Sequence, residues 1–380
     1  MDLEQALAAQ LGAAVELRHR LHADPRPSGK EHDTAELLMA ELGVVDAPDI
    51  AGGRIVRVGD PDGPAIAVRA ELDALPVAES NDVPWASRNG SAHLCGHDVH
   101  MAALVAVVRA LRVVGPPVPL VAVFQPREET VPCGAKDLAG SAELSTHDIR
   151  AFLGVHLQPR LAEGRFSAAP GPVNASADEF FVTVTGTPGH AAYPHLTRDP
   201  VLAAAATVMA LQTVVSRRLD PTHPAVLSVT TISGGDSPNV VTGEVTFSGT
   251  IRAFHQSDRD EMVRLLTEVS SSTAAAYGCS ARVRVGFGEP VLTNDADLAA
   301  AATKELVAAG FESAPPYLSC GADDFSFYGT RYPSLMVFLG VGSGGPGLHH
   351  PGFLPADEMV AKVAKAMLAG YLAATRMPAV

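Results

Sequence analysis

The sequence predicts an α/β protein with a second, inserted α+β domain. Four apolar segments of strand length are separated by helical patterns, as in proteins whose helices cover a mainly parallel sheet; the segments span 64–70, 119–126, 151–157 and 334–341. Each of them carries, or is closely followed by, a carboxylate or imidazole side chain. Residues 174–287 differ, because their strand-helix-strand-strand-helix-strand pattern is typical of a ferredoxin-like domain.

Length and composition fit this division. The chain has 380 residues, more than one hydrophobic core usually serves, and 47% of them are hydrophobic. The net charge of −14 argues against nucleic-acid and anionic-membrane partners. The four cysteines are widely scattered, the start MDLEQALAAQ lacks the basic region of a signal peptide, and no window offers about 18 uninterrupted apolar residues. We therefore expect a reduced, cytoplasmic protein without a membrane partner.

Local signals predict the first elements. An amphipathic helix is expected over 2–23, where an Asp-Pro pair ends it, and a second helix over 31–42 with Gly43 as its left-handed cap. Short strands follow at 53–58 and 64–70, separated by an Asp-Pro-Asp-Gly turn.

The inserted domain has a clear internal order. Its strands show partial period-two alternation, which is typical of an antiparallel sheet with one face in solvent. The expected elements are strand 178–186, helix 199–216, strand 225–233, strand 244–252, helix 256–277 and strand 280–287. Residues 1–173 and 288–380 are predicted to form the catalytic domain around this insertion.

Polar side chains recur at the ends of the four apolar strands. Ligands of open α/β sheets bind outside the carboxyl ends of the strands, so these side chains are expected to converge. They are Glu71 and Asp73, Glu128 and Glu129, His156, and the pair His349-His350.

The loop around Cys95-Gly96-His97 precedes an apolar helical run and adds a thiol and an imidazole. Thiolate and imidazole are ligands that zinc and similar metals prefer. A buried structural cysteine beside a surface histidine is the alternative, but the converging strand ends favour a metal site.

Each converging residue has a possible role and an ordinary alternative. One carboxylate of Glu128-Glu129 can bind a metal while the other takes a proton from water, or the pair is a solvated loop. Asp73 can orient a metal-bound histidine or bind a metal directly as a second carboxylate, or it is a helix or turn cap. His156 is either a ligand or a satisfied core histidine, and the sequence does not choose between His349 and His350.

Four residues of the inserted domain are candidates for contacts with a substrate. His190 and His195 lie in a loop rich in Gly and Pro and can donate to developing negative charge, unless they are simply exposed. Asn239 and Arg252 can bind a substrate carboxylate through amide and guanidinium donors, although Arg252 can equally be an ordinary surface cation.

With these residues assembled, the chain resembles the amidohydrolases that include hippurate hydrolase, N-acyl-L-amino-acid aminoacylases and auxin-conjugate hydrolases. The resemblance covers nearly the whole chain, and its motifs are RAELDALP (69–76), CGHD (95–98), FQPREE (124–129), GVHL (154–157), GHAAYPH (189–195), GADDF (321–325) and LHHP (348–351). It implies a zinc-exopeptidase-like catalytic domain and an inserted lid or dimerisation domain.

The resemblance also implies roles for individual residues. It implies two divalent metal ions (zinc, manganese or cobalt) held by five ligands, namely Cys95, His97, Glu129, His156 and His349. Glu128 is then the general acid/base, Asp73 the supporting acid, and His190 an oxyanion-stabilising residue that comes from the partner subunit in some relatives. A homodimer formed through the inserted domain is expected. Glu71 departs from the pattern, because relatives usually carry aspartate there.

These observations predict hydrolysis of the amide bond of N-acyl amino acids or related amides. In this hypothesis Glu128 takes the proton of a metal-activated water and returns it to the leaving nitrogen. A dipeptidase or carboxypeptidase with the same site is the alternative, as is a non-catalytic protein that binds metal or a small molecule. A hydrolase that uses Cys95 as its nucleophile is a weaker third interpretation.

Overall fold

The computed structural model describes residues 1–377, which form helices and strands in the following order. The helices are α1 (Leu3–Ala8), α2 (Leu11–Ala23), α3 (His32–Leu42), α4 (His97–Val114), α5 (Gly134–Ala139), α6 (Ala142–Ser145), α7 (Pro200–Arg218), α8 (Gln256–Ala276), α9 (Ala296–Ala308), α10 (Ser326–Gly329) and α11 (Glu358–Thr375). The strands are β1 (Arg54–Val58), β2 (Ala65–Glu71), β3 (Leu120–Gln125), β4 (Ile149–Gln158), β5 (Arg165–Ser167), β6 (Gly171–Asn174), β7 (Asp178–Thr185), β8 (Gly189–His190), β9 (Ala225–Ser233), β10 (Val240–Val241), β11 (Glu244–Ala253), β12 (Ser280–Phe287), β13 (Leu292–Asn294), β14 (Glu312–Ser313) and β15 (Ser334–Gly340).

The chain divides into two compact units. The first contains Met1–Gly171, Thr293–Tyr317 and the part of the chain that begins at Asp324. The second contains Pro172–Leu292 together with the short segment Leu318–Asp323. The sequence placed this short segment in the catalytic domain, because nothing in its composition distinguishes it from its neighbours.

The first unit is built on a seven-stranded sheet with the order β1-β3-β2-β4-β15-β5-β14. The central strands β3, β2, β4 and β15 are parallel to one another, so their carboxyl ends lie at one edge of the sheet. They correspond to the four apolar segments, and all residues of β2, β3 and β15 are buried. The α/β fold class predicted from those segments is confirmed.

Helix α4 forms the centre of this unit. It is buried around its whole circumference from His97 to Val108, and after its first turn these residues are apolar. A helix of this kind is stable only inside a core, and α4 packs against α1, α2, α11 and β2. Its first turn, which begins at the carboxyl edge of the sheet, is thereby fixed.

The second unit has the predicted β-α-β-β-α-β order. Its antiparallel sheet runs β12-β7-β11-β9, and α7 and α8 pack on one face of it. Burial alternates along β7, as expected for a sheet with one exposed face. Helix α7 is long and apolar enough to cross a membrane by length and composition alone, but Ala203, Leu211 and Val214 are buried in the core of this unit.

One predicted element is wrong. The single helix expected over 2–23 is divided into α1 and α2. The Gln10 N–H bonds to the carbonyl of Leu7, three residues back, at 2.9 Å, which tightens the last turn of α1 and interrupts the regular ladder. The sequence does not show this break, because alanine, glutamine and leucine all favour helix.

Candidate active site

The loop before α4 positions Cys95 and His97. Gly96 has φ of 87°, and a Cβ at this position would lie 2.8 Å from Cδ1 of Leu157, so only glycine allows the chain to turn here. Cys95 and His97 are both buried. The Nδ1 of His97 donates to the main-chain carbonyl of Asp73 at 2.8 Å, which directs Nε2 into the site.

The predicted ligands converge in three overlapping groups. In each group the nitrogen, sulfur or oxygen atoms lie within 4.8 Å of one another. The groups are Cys95 with His97 and His156, Cys95 with Glu129 and His349, and His97 with Glu128 and Glu129. Residues that end or follow strands β3, β4 and β15 and residues at the start of α4 therefore meet in one place.

His349, rather than His350, belongs to this cluster. Its Nε2 lies 3.1 Å from Oε1 of Glu129, while the ring of His350 accepts a hydrogen bond from the Gly352 N–H. The backbone of His349 adopts φ of 65°, and its N–H donates to the carbonyl of Leu94 at 2.9 Å. This local conformation decides which imidazole turns inward, a choice that the sequence left open.

Asp73 supports the cluster through the backbone as well as the side chain. Its Oδ2 accepts from the Ser28 hydroxyl at 2.7 Å and from the Glu129 N–H at 2.9 Å. Its Oδ1 lies 3.7 Å from Nδ1 of His97, whereas the main-chain oxygen makes the hydrogen bond. The expected orienting contact to a histidine thus comes from the main chain, and the carboxylate fixes the loop that carries Glu129.

The cluster has the donors and the excess negative charge that suit a cation. Nε2 of His97 is buried and has no hydrogen-bond partner among residues 1–377. Burial, together with Glu129 and Glu128, raises the pKa of the Cys95 thiol well above its usual value. A thiolate therefore requires added positive charge, which a metal ion supplies. The same raised pKa argues against Cys95 as an unaided nucleophile.

Glu128 is suited to proton transfer. Its Oε2 lies 3.9 Å from Nε2 of His97, and its side chain is 11% exposed, so water reaches it. Glu129 is bound more tightly: burial raises the pKa of its carboxyl, but His349 and His97 outweigh this and lower it overall. The two adjacent glutamates thus differ in their contacts, although their side chains are similarly exposed at 11% and 10%. Their assignment as acid/base and ligand stays a prediction.

The four candidates of the inserted domain lie in the second unit. His190 and Asn239 are neighbours, because β8 pairs with β10 and the Ala191 N–H donates to the Asn239 carbonyl at 3.0 Å. His195 is exposed in a 3₁₀ turn, and Arg252 donates to the Cys320 carbonyl at 2.8 Å. Their catalytic and substrate-binding roles stay predictions.

A buried polar network behind the strand ends was missed by the sequence reasoning. Arg69 bonds to Oε1 of Gln125 at 3.0 Å and to Oδ1 of Asp324 at 2.9 Å. Gln125 also bonds to Asp324 and accepts from the Tyr328 hydroxyl. The available signal was an arginine and a glutamine inside otherwise apolar strands, where polar groups must be paired.

A second missed group lies behind the first turn of α4. Asp98 accepts from Nε of Arg18 at 3.0 Å and from Nδ1 of His22 at 2.9 Å, and all three side chains are buried. Burial raises the pKa of Asp98, but Arg18 and His22 outweigh it and hold the pKa well below its usual range. Helix α2 is thereby attached to the residue that follows His97.

Comparisons with known proteins support this interpretation. Residues 67–373 match the model of peptidase family M20/M25/M40. The chain is 32% identical to the N-acetylcysteine deacetylase of Bacillus subtilis over 90% of this chain and 92% of the relative. It is 31% identical to the N-acetyldiaminopimelate deacetylase of Exiguobacterium sibiricum, over 91% and 95%.

A solved structure agrees with these relatives. The YxeP protein of Bacillus subtilis, described as a dinuclear metal binding peptidase of the M20 family, is 28% identical with a TM-score of 0.84, over 96% of this chain and 98% of that chain. The predictions of an enzyme and of an amidohydrolase of this kind are confirmed. The chain belongs to peptidase family M20/M25/M40.

Proposed function

We propose that this protein hydrolyses the amide bond of N-acyl amino acids, with N-acetyl amino acids as the first substrates to test. The observation that carries the proposal is the convergence of Cys95, His97, Glu129, His156 and His349 beside the accessible carboxylate of Glu128. The names of the similar deacetylases support the acyl and amino-acid halves of the substrate.

Two divalent metal ions fit these residues, with zinc, manganese and cobalt as the candidates. The Nε2 of His97, which has no hydrogen-bond partner among residues 1–377, the buried thiol of Cys95 and several carboxylates are a suitable donor set. When bound, the ions supply Lewis acidity to the reaction. Similarity to a dinuclear metal binding peptidase supports the proposal of two ions.

The chain's own residues supply the proton transfers. Glu128 accepts the proton of the water that attacks the amide carbon, and it returns a proton to the leaving nitrogen, because an amine anion is a very poor leaving group. Asp73 holds the loop of Glu129 through the 2.9 Å bond to its N–H, so the neighbouring Glu128 is held in place as well. His190 stabilises the developing oxyanion. Asn239 and Arg252 bind the substrate carboxylate, and His195 assists them.

A screen of substrates tests the proposal. The protein is incubated with N-acetyl and N-benzoyl amino acids, and separately with dipeptides, and the released amine is measured with and without chelator. We expect chelator-sensitive release from the N-acyl amino acids. Faster release from dipeptides would favour the peptidase alternative, and chelator-insensitive release would contradict the metal-dependent mechanism.

We further propose a homodimer formed through the second unit. Strand β9 is an edge of its sheet, and Ile232 on β9 and Met209 on α7 are 59% and 71% exposed. Unpaired strand edges and exposed apolar side chains are features that a partner covers. Sedimentation velocity of the whole protein tests this, and a monomer at micromolar concentration would contradict it.

The cytoplasmic location is also a proposal. The four cysteines form no disulfide in the described part of the chain, which agrees with a reducing compartment. Fractionation of cells that express the protein would test the location.

A further inference from the structure

The end of strand β4 has hydrogen-bonding groups that the sheet does not use. Strand β2 pairs with β4 from Ala65–Ile149 to Val68–Leu153, and β4 continues beyond this point to Gln158. Beyond Leu153, on the side of β4 that pairs with β2, the imidazole rings of His100 and His156 make the hydrogen bonds. The N–H of Leu157 donates to Nε2 of His100 at 3.3 Å, and its carbonyl accepts from Nδ1 of His156 at 2.7 Å.

These two contacts determine the protonation of both rings. A main-chain carbonyl can only accept, so Nδ1 of His156 carries a proton and its Nε2 presents a lone pair. That Nε2 lies 3.4 Å from Sγ of Cys95. A main-chain N–H can only donate, so Nε2 of His100 carries a lone pair and its proton is on Nδ1.

Glu71 accepts a hydrogen bond from His100. Its Oε2 lies 2.9 Å from Nδ1 of His100, and both side chains are buried. Its other oxygen bonds to Arg69, which balances the charge of the carboxylate. The chain of contacts therefore runs from Glu71 through His100 and Leu157 to His156. Its members are packed closely, since the rings of His100 and His156 are 5.1 Å apart.

We propose that Glu71 and His100 are positioning residues for His156. They hold the end of β4 on the side where its pairing with β2 has stopped, while β15 pairs with the other side as far as Gln158. They so fix the orientation of the His156 ring and the direction of its Nε2 lone pair. Glu71 is a carboxylate of RAELDALP that lies in none of the three groups of converging ligand atoms. Its role is thus to keep the proton of His100 on Nδ1. The lone pair on Nε2 of His100 can then accept from the Leu157 N–H at the end of β4.

This inference rests on the proposed role of His156 as a metal ligand. Residues behind a ligand typically alter metal affinity by about 10–100-fold when they are replaced. Two variants separate the links of the chain. His100→Phe removes both contacts of the ring, whereas Glu71→Gln keeps the shape but has one acceptor oxygen in place of two, so it cannot accept from both Arg69 and His100.

The test is a titration of the metal-free protein with cobalt(II) alone. Calorimetry measures the affinity, and the visible absorption of the bound ion reports its surroundings. The matched control is Tyr371→Phe, which removes the buried bonds between this hydroxyl and the main chain of Val118, before β3. We expect wild type and the control to bind two ions equally. His100→Phe and Glu71→Gln should weaken one binding event about 10–100-fold and alter the absorption band.

The outcomes distinguish this inference from the proposed function. Folded variants with the affinity and spectrum of the wild type would overturn the positioning role and leave the proposed function intact. A wild type that binds no cobalt would overturn both. If His100→Phe does not fold, as judged by circular dichroism, Glu71→Gln decides the result. A loss of thermal stability with unchanged cobalt binding would show a purely structural role and also overturn the inference.

Discussion

The two units of the chain present their candidate functional residues in opposite ways. In the first unit, Cys95, His97 and His156 are at most 6% exposed and lie at the ends of elements inside a large core. In the second unit, His190 and Asn239 are exposed, and the short pairing of β8 with β10 holds them. A parallel sheet gathers residues far apart in sequence at one edge, whereas the second unit leaves His190, His195 and Asn239 exposed outside its four-stranded sheet.

This difference fits the proposed division between metal-binding and substrate-binding residues. A metal site needs several ligands fixed within a few tenths of an ångström, and buried strand ends supply that rigidity. Residues that contact varied substrates tolerate, and often need, the freedom of loops. Variants in each unit separate the contribution of the buried cluster from that of the exposed residues.

Replacement of Glu128 by Gln should remove most of the turnover. The amide keeps the size of the side chain but cannot take a proton, so kcat should fall by about 10²–10⁴-fold while metal content stays unchanged. Steady-state kinetics and metal analysis of the same sample measure both. Glu16→Gln, at an exposed position on α2, is the control. Full activity of Glu128→Gln would remove Glu128 from its proposed role.

Replacement of His190 by Ala should lower activity without affecting the first unit. If His190 donates to the oxyanion, kcat should fall by about 10²–10³-fold, and cobalt titration should match the wild type. His32→Ala, another exposed histidine, should leave both unchanged. A changed metal affinity in His190→Ala would show that the two units do not act separately.

Replacement of Gly96 by Ala should weaken the metal site and the fold together. The positive φ of Gly96 and the contact to Leu157 should cost about 1–3 kcal/mol of unfolding free energy. Gly115→Ala is a matched control, since φ there is 84° and nothing lies within 4 Å of the added carbon. Denaturant unfolding and cobalt titration should show lost stability in both but lost metal affinity only in Gly96→Ala; equal metal affinities would contradict this role of the turn.

The smallest effects are expected when the residue that caps the start of one helix in each unit is replaced. Asp199 accepts from Val201 N–H at 2.8 Å at the start of α7, and Asp295 accepts from Leu298 N–H at 2.8 Å at the start of α9. Each change to Ala should cost about 1 kcal/mol of stability and leave kcat unaltered. Thermal unfolding measures the loss, and a change in kcat for either variant would show that its helix affects the site.

The sequence predicted the first unit well because its signals are local. An apolar run that ends in a polar side chain marks both a buried strand and its place at the sheet edge, so Glu128, Glu129 and His156 were found. The choice of His349 over His350 depended on one backbone angle, which no sequence pattern encodes. His100 lies three residues after His97, on the same face of α4, but its partner Glu71 comes from another strand. Pairing of that kind appears only in the folded chain.

Strand β15 pairs with β4 along Ser334–Gly340, although the entire second unit separates these strands in sequence. A ribosome must therefore finish the α+β unit before the central sheet can receive its neighbouring strand and helix α11. Until then the nascent chain exposes one flank of β4, an open template for unwanted pairing with other chains. The inserted unit has its own core and can fold early. Its folding shortens the effective loop between β4 and β15, which lowers the entropy cost of pairing these strands.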